Sequence, residues 1–265
     1  MVLTGIMFRN NNHLTVLLPA YNAGPYLKEA IDSILAQTYH EFEFLIINDG
    51  SKDDTKAIID SYKDRRIKVI HQDNKGLITT LNEGIEMATG NIIARMDADD
   101  VCLPDRLQLQ MDFLKENPDY VMVGSEAEIM DKDGNYLMPL EPVGYTHEEI
   151  VAAINKKVPF IHPCVTFRKD AVIQAGLYPK NALDFEDHLL WKKLLEVGKV
   201  CNLPKVLLKV RFNPESVTID ERWRGKDFID IRTRSIINGV VSDEDAIRLK
   251  ELMKSQNLKE YRQAS

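Results

Sequence analysis

The stretch "LTVLLPAYNAGPYLKEAIDSILAQTYHEFEFLIINDG", residues 14–50, decides the fold. It opens with an apolar run of strand length, residues 14–20, and closes with a second such run, residues 42–49. Between them, apolar residues from Leu27 onward recur at i, i+3, i+4, i+7 and i+8, which is the stripe of an amphipathic helix. Gly24-Pro25 marks the start of that helix, because proline suits the first helical position. The stretch therefore predicts a strand–helix–strand unit.

The same alternation continues along the first half of the chain. Further strands are predicted at "IKVIH" and "NIIARM", and further helices within "GSKDDTKAIIDSY", "LITTLNEGIEMATG" and "PDRLQLQMDFLKENP". Ser51 and Asp54 have the spacing of a capping box before the first of these helices. Alternation of this kind predicts an α/β fold, a mostly parallel central sheet flanked by helices. Ligands of such sheets bind beyond the carboxyl ends of the strands, so "PAYNAG", "NDGSKDD" and "MDADD" are expected at one edge.

The second half of the chain is less regular. It predicts a strand pair around an Asp131–Asn135 turn, a helix capped by Thr146 and Glu149, a strand and helix in residues 161–176, and a helix in residues 184–198. Two more strands, "KVCNLP" and "VLLKVRF", are expected to follow. We divide the chain into a main domain, residues 1–220, and a helical C-terminal extension, residues 221–265. Within the main domain we separate a regular part, about residues 13–117, from a smaller and less regular part, about residues 118–220.

The composition excludes several classes of protein. The 265 residues carry a net charge of -7, so no broad basic surface for nucleic acid is expected. The three cysteines stand far apart, which argues against a disulfide framework or a zinc site. No apolar run is long enough to span a membrane, and "MVLTGIMFRNNNH" lacks the apolar core of a signal peptide. A cytoplasmic location is predicted, and peripheral contact with the inner face of a membrane is left open.

The segment "RMDADD", residues 95–100, places three carboxylates within four residues directly after a predicted strand. Like charges this close repel one another unless a cation compensates them. A solvated acidic turn is one interpretation and a cation site is the other. Mg²⁺ and Mn²⁺ prefer such oxygen ligands, and either would neutralise a diphosphate held beside the aspartates.

Other strand ends carry residues suited to a nucleotide. The carboxylate of Asp49 can accept a hydrogen bond from the ring N–H of a base, and the ring of Tyr21 can stack on one. Gly76 opens a helix whose N-terminus would favour an anion, and Lys75 is placed to approach a phosphate. Each of these residues also has an ordinary explanation, as a turn, rim or solvated side chain.

Several motifs in this order resemble the inverting family-two glycosyltransferases with the Rossmann-like GT-A fold. They are "VLLPAYNAGPYLKEAIDSILAQTYHEFEFLIINDGSKDDT", "NKGLITTLNEGI", "GNIIARMDADD", "LPDRLQLQ" and "FEDHLLWKKLL", and the resemblance covers about residues 13–218. It implies transfer of a sugar, of the hexosyl type, from a nucleotide-sugar donor, usually a UDP-sugar. It implies a divalent metal, Mn²⁺ or Mg²⁺, and a glycan or lipid-linked acceptor of the kind used in cell-surface polysaccharide biosynthesis.

The resemblance makes residues 13–117 the nucleotide-binding part of the main domain and residues 118–220 the acceptor-side part. It also implies roles for individual residues. Pro19, Ala20, Tyr21, Asn22 and Asp49 match nucleoside-binding positions, and Lys75, Arg95 and Asp97 match positions that line the donor. Asp99 matches the metal-contacting aspartate of the D-x-D motif, and Asp187 the catalytic base that follows Glu186. His162 and Glu186 belong to the acceptor side, and Arg211 with Ser216 resembles a recurring feature of the family.

Chemistry supports Asp187 separately from the resemblance. Single displacement at an anomeric carbon needs a carboxylate that takes the proton of the acceptor hydroxyl. The alternative is that Glu186 and Asp187 only stabilise the N-terminus of their helix. The "QxxRW" element of processive synthases is absent, since "ERWRG" near Arg222 does not match it. This departure favours the addition of a single sugar.

Two other functions remain open from the residues. A sugar-nucleotide nucleotidyltransferase would share the sheet and the metal, but its first loop should be rich in glycine and arginine, and "PAYNAG" lacks arginine. A non-catalytic nucleotide-sugar sensor could retain Asp49 and Asp99 but would not need Asp187.

Overall fold

The computed structural model describes residues 13–212 and 225–255. Its strands are β1 (Leu14–Ala20), β2 (Phe42–Asp49), β3 (Ile67–Gln72), β4 (Ile92–Arg95), β5 (Val101–Cys102), β6 (Tyr120–Met130), β7 (Tyr136–Leu140), β8 (Thr166–Arg168) and β9 (Lys199–Arg211). Its helices are α1 (Gly24–Leu35), α2 (Thr55–Ser61), α3 (Leu77–Met87), α4 (Arg106–Glu116), α5 (His147–Ala153), α6 (Lys169–Gln174), α7 (Glu186–Leu194), α8 (Lys226–Asn238) and α9 (Asp243–Ser255). A short 3₁₀ helix covers His162–Cys164.

The strands form one mixed sheet with the order β3-β2-β1-β4-β8-β6-β9-β5, and β7 pairs with β6. Strands β1 to β4 are mutually parallel, β6 is parallel to β9, and β8 runs antiparallel to both β4 and β6. Only β5, β7 and β8 run against the common direction among the described strands. The predicted α/β fold with a mostly parallel sheet is confirmed.

Helices cover both faces of the sheet. Alternate residues of β1 point to opposite faces, so Val16 packs with α1, α2 and α4, whereas Leu17 packs with α3, α5, α6 and α7. All seven residues of β1 are buried, which explains why every residue of this strand except Thr15 is apolar. Because helices pack on both faces, the sheet is held in place, and the positions of the strand ends are set with it.

Two local predictions are wrong and two are confirmed. Helix α2 begins at Thr55 and has no side-chain cap, because the Ser51 hydroxyl accepts a hydrogen bond from the Asn22 N–H instead. The segments "KVCNLP" and "VLLKVRF" form the single strand β9, in which a register shift against β6 accommodates Pro204. The capping box of Thr146 and Glu149 is present, and Asp131 closes the predicted turn between β6 and β7.

The C-terminal helices α8 and α9 pack on α7 through a small apolar cluster that includes Phe185, Leu189 and Phe228. The predicted domain boundary at residue 220 lies outside the described residues, as do Ser216 and Arg222. Among the described residues, no helix combines the length and apolar composition that a membrane crossing requires.

Candidate active site

The carboxyl ends of six strands meet at one edge of the sheet, where the sequence predicts the site. The loop after β1 is joined there to the loop after β2. Asn22, at a positive φ of 50°, donates its N–H to Ser51 Oγ over 3.0 Å, and its side-chain oxygen accepts the Lys52 N–H over 2.8 Å. Pro19 and Ala20 are buried at the end of β1, whereas Tyr21 exposes 53% of its surface. The exposed ring is free to stack on a planar ligand.

Asp49 connects the end of β2 to the loop before α3. Its Oδ1 accepts the Lys75 N–H and the Gln72 side-chain amide, and its Oδ2 accepts the Gly76 N–H, all within 2.9 Å. Gly50 follows at a φ of +73°, and a Cβ there would lie 2.6 Å from the Asn74 nitrogen. The carboxylate therefore shapes the loop in addition to any contact with a base.

Lys75 is half-exposed, and its ammonium group pairs with Glu83 over 2.8 Å. Exposed ion pairs of this kind contribute little free energy, so the side chain is able to leave Glu83 for a phosphate.

The acidic segment after β4 brings carboxylate oxygens of Asp97, Asp99 and Asp100 within 4.8 Å of one another. Burial, followed by the Asp97 carboxylate, raises the pKa of Asp99 to about 6. Burial likewise raises the pKa of Asp100 well above its usual range, and Asp97 and Asp99 add to the effect. Asp97 also pairs with the guanidinium of Arg95, which is buried.

This acidic cluster fits a divalent cation. Its donors are hard carboxylate oxygens, and Oδ2 of Asp100 is buried without a hydrogen-bond partner among the described residues. An unpaired buried carboxylate oxygen is costly, and the cost falls when a cation or a proton reaches it. Asp97, Asp99 and Asp100 are therefore the residues able to hold Mg²⁺ or Mn²⁺.

The residues of the acceptor side lie near the same strand end. The 3₁₀ helix that carries His162 precedes β8, whose Thr166 pairs with Ala94 near the end of β4. His162 Nε2 lies 2.9 Å from the hydroxyl of Tyr178, which is buried. Burial raises the pKa of Tyr178. Arg95 opposes this shift, and the carboxylates of Asp187, Glu186 and Asp97 add to it.

Glu186 and Asp187 occupy the first turn of α7, as predicted. Burial, followed by the neighbouring Asp187 carboxylate, raises the pKa of Glu186 to about 8. The same first turn faces Arg95, which opposes this shift. At neutral pH the Glu186 carboxyl therefore tends to keep its proton, and the pair carries less than two negative charges.

Tyr178 and Arg106 have no predicted role, and Arg211 is indicated by the resemblance alone. The Tyr178 N–H donates to the Asn82 side-chain oxygen, and the Asn82 amide donates to the Tyr178 carbonyl oxygen, which ties Tyr178 to α3. Arg106 is fully buried and donates to the Arg95 carbonyl oxygen over 2.7 Å. Arg211, which the resemblance groups with Ser216, is buried beside the acidic cluster. The sequence could have indicated Arg106, because this residue lies in the "LPDRLQLQ" motif within a helix that buries Leu107 and Met111.

The fold is similar to that of solved structures that contain nucleotide sugars. TarS of S. aureus in complex with UDP-GlcNAc superposes with a TM-score of 0.68 and 19% identity, covering 86% of this chain and 66% of that chain. The mannosyltransferase PcManGT of Pyrobaculum calidifontis, in complex with GDP-Man and Mn²⁺, gives a TM-score of 0.58 at 19% identity, covering 84% and 61%. Together with the strand order and the acidic cluster, these likenesses define the GT-A fold.

Sequence comparisons identify the family. The model described as Glycosyl transferase family 2 matches residues 15–176. The amylovoran biosynthesis glycosyltransferase AmsE of Erwinia amylovora is 34% identical over 215 residues, which are 79% of this chain and 80% of that protein. An uncharacterized glycosyltransferase of Rickettsia bellii is 31% identical over 206 residues, 77% of this chain but only 29% of the relative. This chain belongs to glycosyl transferase family 2 and is a glycosyltransferase.

Proposed function

We propose that this chain transfers one sugar from a UDP-sugar to a hydroxyl of a glycan or lipid-linked acceptor, with inversion at the anomeric carbon. Asp99 binds a divalent metal and Asp187 is the general base. The observation that carries the proposal is the acidic cluster after β4, where carboxylate oxygens of Asp97, Asp99 and Asp100 lie within 4.8 Å of one another. Such a cluster suits the diphosphate end of a displacement reaction, and Asp187, in the first turn of α7, is the candidate base for the other end.

The donor side follows from the loops at the strand ends. Tyr21 stacks on the base, with Pro19, Ala20 and Asn22 shaping the wall beside it, and Asp49 accepts a hydrogen bond from the base while it holds the Lys75–Gly76 loop. Lys75, Arg95 and Asp97 line the diphosphate and the sugar. A bound Mg²⁺ or Mn²⁺ would supply Lewis-acid stabilisation of the leaving nucleoside diphosphate.

The acceptor side supplies the proton transfer. Asp187 takes the proton of the acceptor hydroxyl while the new bond from that oxygen to the anomeric carbon forms and the bond to the diphosphate breaks. Attack from the face opposite the diphosphate inverts the anomeric configuration. Because the pKa of Glu186 is raised to about 8, Glu186 stays protonated and donates a hydrogen bond beside the base. His162 lines the same side.

The relatives support the choice of substrates. Solved structures similar in fold contain UDP-GlcNAc or GDP-Man with Mn²⁺, and the relative from Erwinia amylovora is described as an enzyme of amylovoran biosynthesis. We therefore favour cell-surface polysaccharide biosynthesis, with a cytoplasmic enzyme that meets a lipid-linked acceptor at the inner face of the membrane. Membership of the family counts against the nucleotidyltransferase and the sensor.

A donor panel tests the proposal. Thermal shift with several nucleotide sugars should single out the true donor, since a ligand at a hundredfold excess over its Kd stabilises by about 2.7 kcal/mol. That donor should then be hydrolysed slowly, releasing UDP only when Mn²⁺ or Mg²⁺ is present. Pyrophosphate release from UTP and a sugar phosphate would favour the nucleotidyltransferase, and binding without turnover would favour the sensor.

The metal role has its own prediction. Asp99→Asn should abolish turnover, because it removes a charged ligand from the acidic cluster. Chelation should abolish turnover of the parent, and Mn²⁺ or Mg²⁺ should restore it. The control is Asp105→Asn, an exposed acid just before α4 that lies outside the cluster. Full activity of the parent in chelator would remove the metal from the reaction.

A further inference from the structure

Arg211, the last residue of β9, is 4% exposed and contacts three segments that are distant in sequence. Towards the acidic cluster it makes two hydrogen bonds. Its backbone N–H donates to Oδ1 of Asp100 over 2.9 Å, and its Nε donates to the carbonyl oxygen of Asp99 over 2.9 Å. The residue therefore holds the main chain of one aspartate and the carboxylate of the next.

The rest of the guanidinium is anchored elsewhere. Nη1 donates to the carbonyl oxygens of Asp131 and Lys132, in the turn after β6, over 3.1 and 3.0 Å. Nη2 donates to Glu29 of α1 over 2.5 Å. The guanidinium carbon Cζ lies 4.5 Å from the centre of the Tyr26 ring. Because these anchors belong to the sheet edge and to α1, Arg211 cannot move without breaking several bonds.

The contacts that Arg211 makes leave the acidic cluster able to bind a ligand. Arg211 binds the main-chain oxygen of Asp99 and does not occupy the side-chain carboxylate. An arginine suits this position because one planar group reaches carbonyl oxygens in several directions, which a lysine ammonium on a flexible stem does not do with the same geometry.

We propose that Arg211 is the positioning residue of the acidic cluster, which holds Asp99 and Asp100 in the arrangement that a divalent cation requires. The inference rests on the metal site of the proposed function and adds a residue to which the comparisons assign no role. Groups that orient metal ligands affect metal affinity by about 10- to 100-fold when they are removed. Loss of Arg211 should therefore weaken the metal far more than it weakens the nucleotide.

The test compares Arg211→Lys with Arg168→Lys. Arg168 is equally buried, at 6% exposure, and its guanidinium also binds carbonyl oxygens, those of Tyr120 and Leu114. It lies at the opposite edge of the sheet, because its partner Ile92 begins β4. Each substitution removes a buried guanidinium group that binds carbonyl oxygens, but only Arg211 borders the acidic cluster.

The readout is the affinity for Mn²⁺ at a fixed concentration of UDP, followed by the electron paramagnetic resonance signal of the free ion, with a protein-free titration subtracted. We expect Arg211→Lys to weaken Mn²⁺ binding by about 10- to 100-fold and Arg168→Lys to change it by less than about twofold. Melting temperatures should fall by similar amounts in the two variants. Unchanged Mn²⁺ affinity in Arg211→Lys, or an equal loss in Arg168→Lys, would overturn the inference.

A second pair of variants, with milder substitutions, covers the case in which Arg211→Lys does not fold. Glu29→Gln removes the negative charge that accepts a hydrogen bond from Nη2 of Arg211. The control Asp32→Asn removes a negative charge from the exposed face of the same helix, and Asp32 pairs with Lys28 instead of Arg211. We expect Glu29→Gln to weaken Mn²⁺ binding severalfold more than Asp32→Asn does. Equal effects of the two substitutions would overturn the inference. A parent protein that binds no Mn²⁺ would overturn the metal site itself, and the inference with it.

Discussion

Asp187 is the residue at which catalysis and binding can be separated. Asp187→Asn should lower turnover by about two to four orders of magnitude, because the variant lacks the proposed base. Donor affinity should hardly change, since the acidic cluster proposed to hold the diphosphate follows β4 and does not include α7. The measurements are a calorimetric titration with the donor and turnover with a working acceptor.

The control for Asp187→Asn is Asp170→Asn. Asp170 is exposed in the first turn of α6, so it shares the helix position of Asp187. It follows β8 at the opposite edge of the sheet, since Arg168 pairs with the start of β4. Normal turnover in Asp187→Asn would leave Glu186 as the next candidate base. Lost donor binding together with a lower melting temperature would instead mean that Asp187 only supports its helix.

Asp49 illustrates a residue whose structural and binding roles overlap. Asp49→Asn should weaken UDP binding by roughly 10- to 150-fold, the equivalent of losing about 1.5–3 kcal/mol from a hydrogen bond to a charged group. The comparison variant is Gln72→Met, which removes one donor to Asp49 and leaves its carboxylate intact. An equal loss of UDP affinity in both variants, measured by calorimetry, would show that Asp49 acts only through its loop.

Glu186 makes stability depend on pH. The pKa of this carboxyl is raised from its usual 4.5 to about 8, mainly by burial. Between these values the unfolded chain loses the proton while the folded chain keeps it, so the stability that Glu186 confers falls as pH rises. Glu186→Gln cannot lose a proton. Its melting temperature relative to the parent should therefore rise between pH 5 and pH 8, by roughly the equivalent of 1 kcal/mol or more.

The measurement for Glu186 is a set of melting curves across that pH range without metal. The control is Glu148→Gln, an exposed acid in the first turn of α5. Its melting temperature should follow that of the parent at every pH. A constant difference between Glu186→Gln and the parent would mean that the folded protein does not hold this proton.

At the scale of elements, predictions succeed where a signal is local. The strand–helix alternation of residues 14–117 is set by burial on both faces of the sheet and by period-3.6 stripes, which the sequence carries openly. The Thr146 capping box is also local and is confirmed. Ser51 has the same spacing, but its hydroxyl is used by Asn22 from the neighbouring loop, and no local pattern reveals that contact.

The site residues, like the elements, are only partly predictable from the sequence. Residues at the carboxyl ends of β1, β2 and β4 could be placed together, because parallel topology alone brings these ends to one edge. Tyr178 could not, and Arg211 is indicated only by the resemblance, because these two residues lie 79 and 112 positions beyond Asp99 in the chain. Their contacts depend on how β9 and the segment before α7 pack, which periodicity does not specify.

At the scale of the whole molecule, the C-terminal helix α8 packs against α7, which carries the candidate base. Phe228 of α8 is 1% exposed, and its ring centre lies 5.9 Å from that of Phe185 in an edge-on contact. Phe185 directly precedes Glu186 and Asp187, so the apolar cluster around it backs the first turn of α7. The position of the candidate base therefore depends on a helix that lies beyond the matched family segment, residues 15–176.

Phe228→Ala tests this dependence. Removing a buried phenylalanine should cost about 3–5 kcal/mol of unfolding free energy, because the transfer term and the cavity term add. Turnover of the protein that remains folded should fall while UDP binding persists, since the acidic cluster lies on the sheet and not on α7. Ile237→Ala is the control on the same helix; Ile237 is 57% exposed, so its loss should change stability by less than about 0.5 kcal/mol. Denaturant unfolding, turnover and UDP calorimetry measure the three quantities. If Phe228→Ala matched the parent in stability and turnover, α8 would be dispensable to the site and the extension would need another explanation.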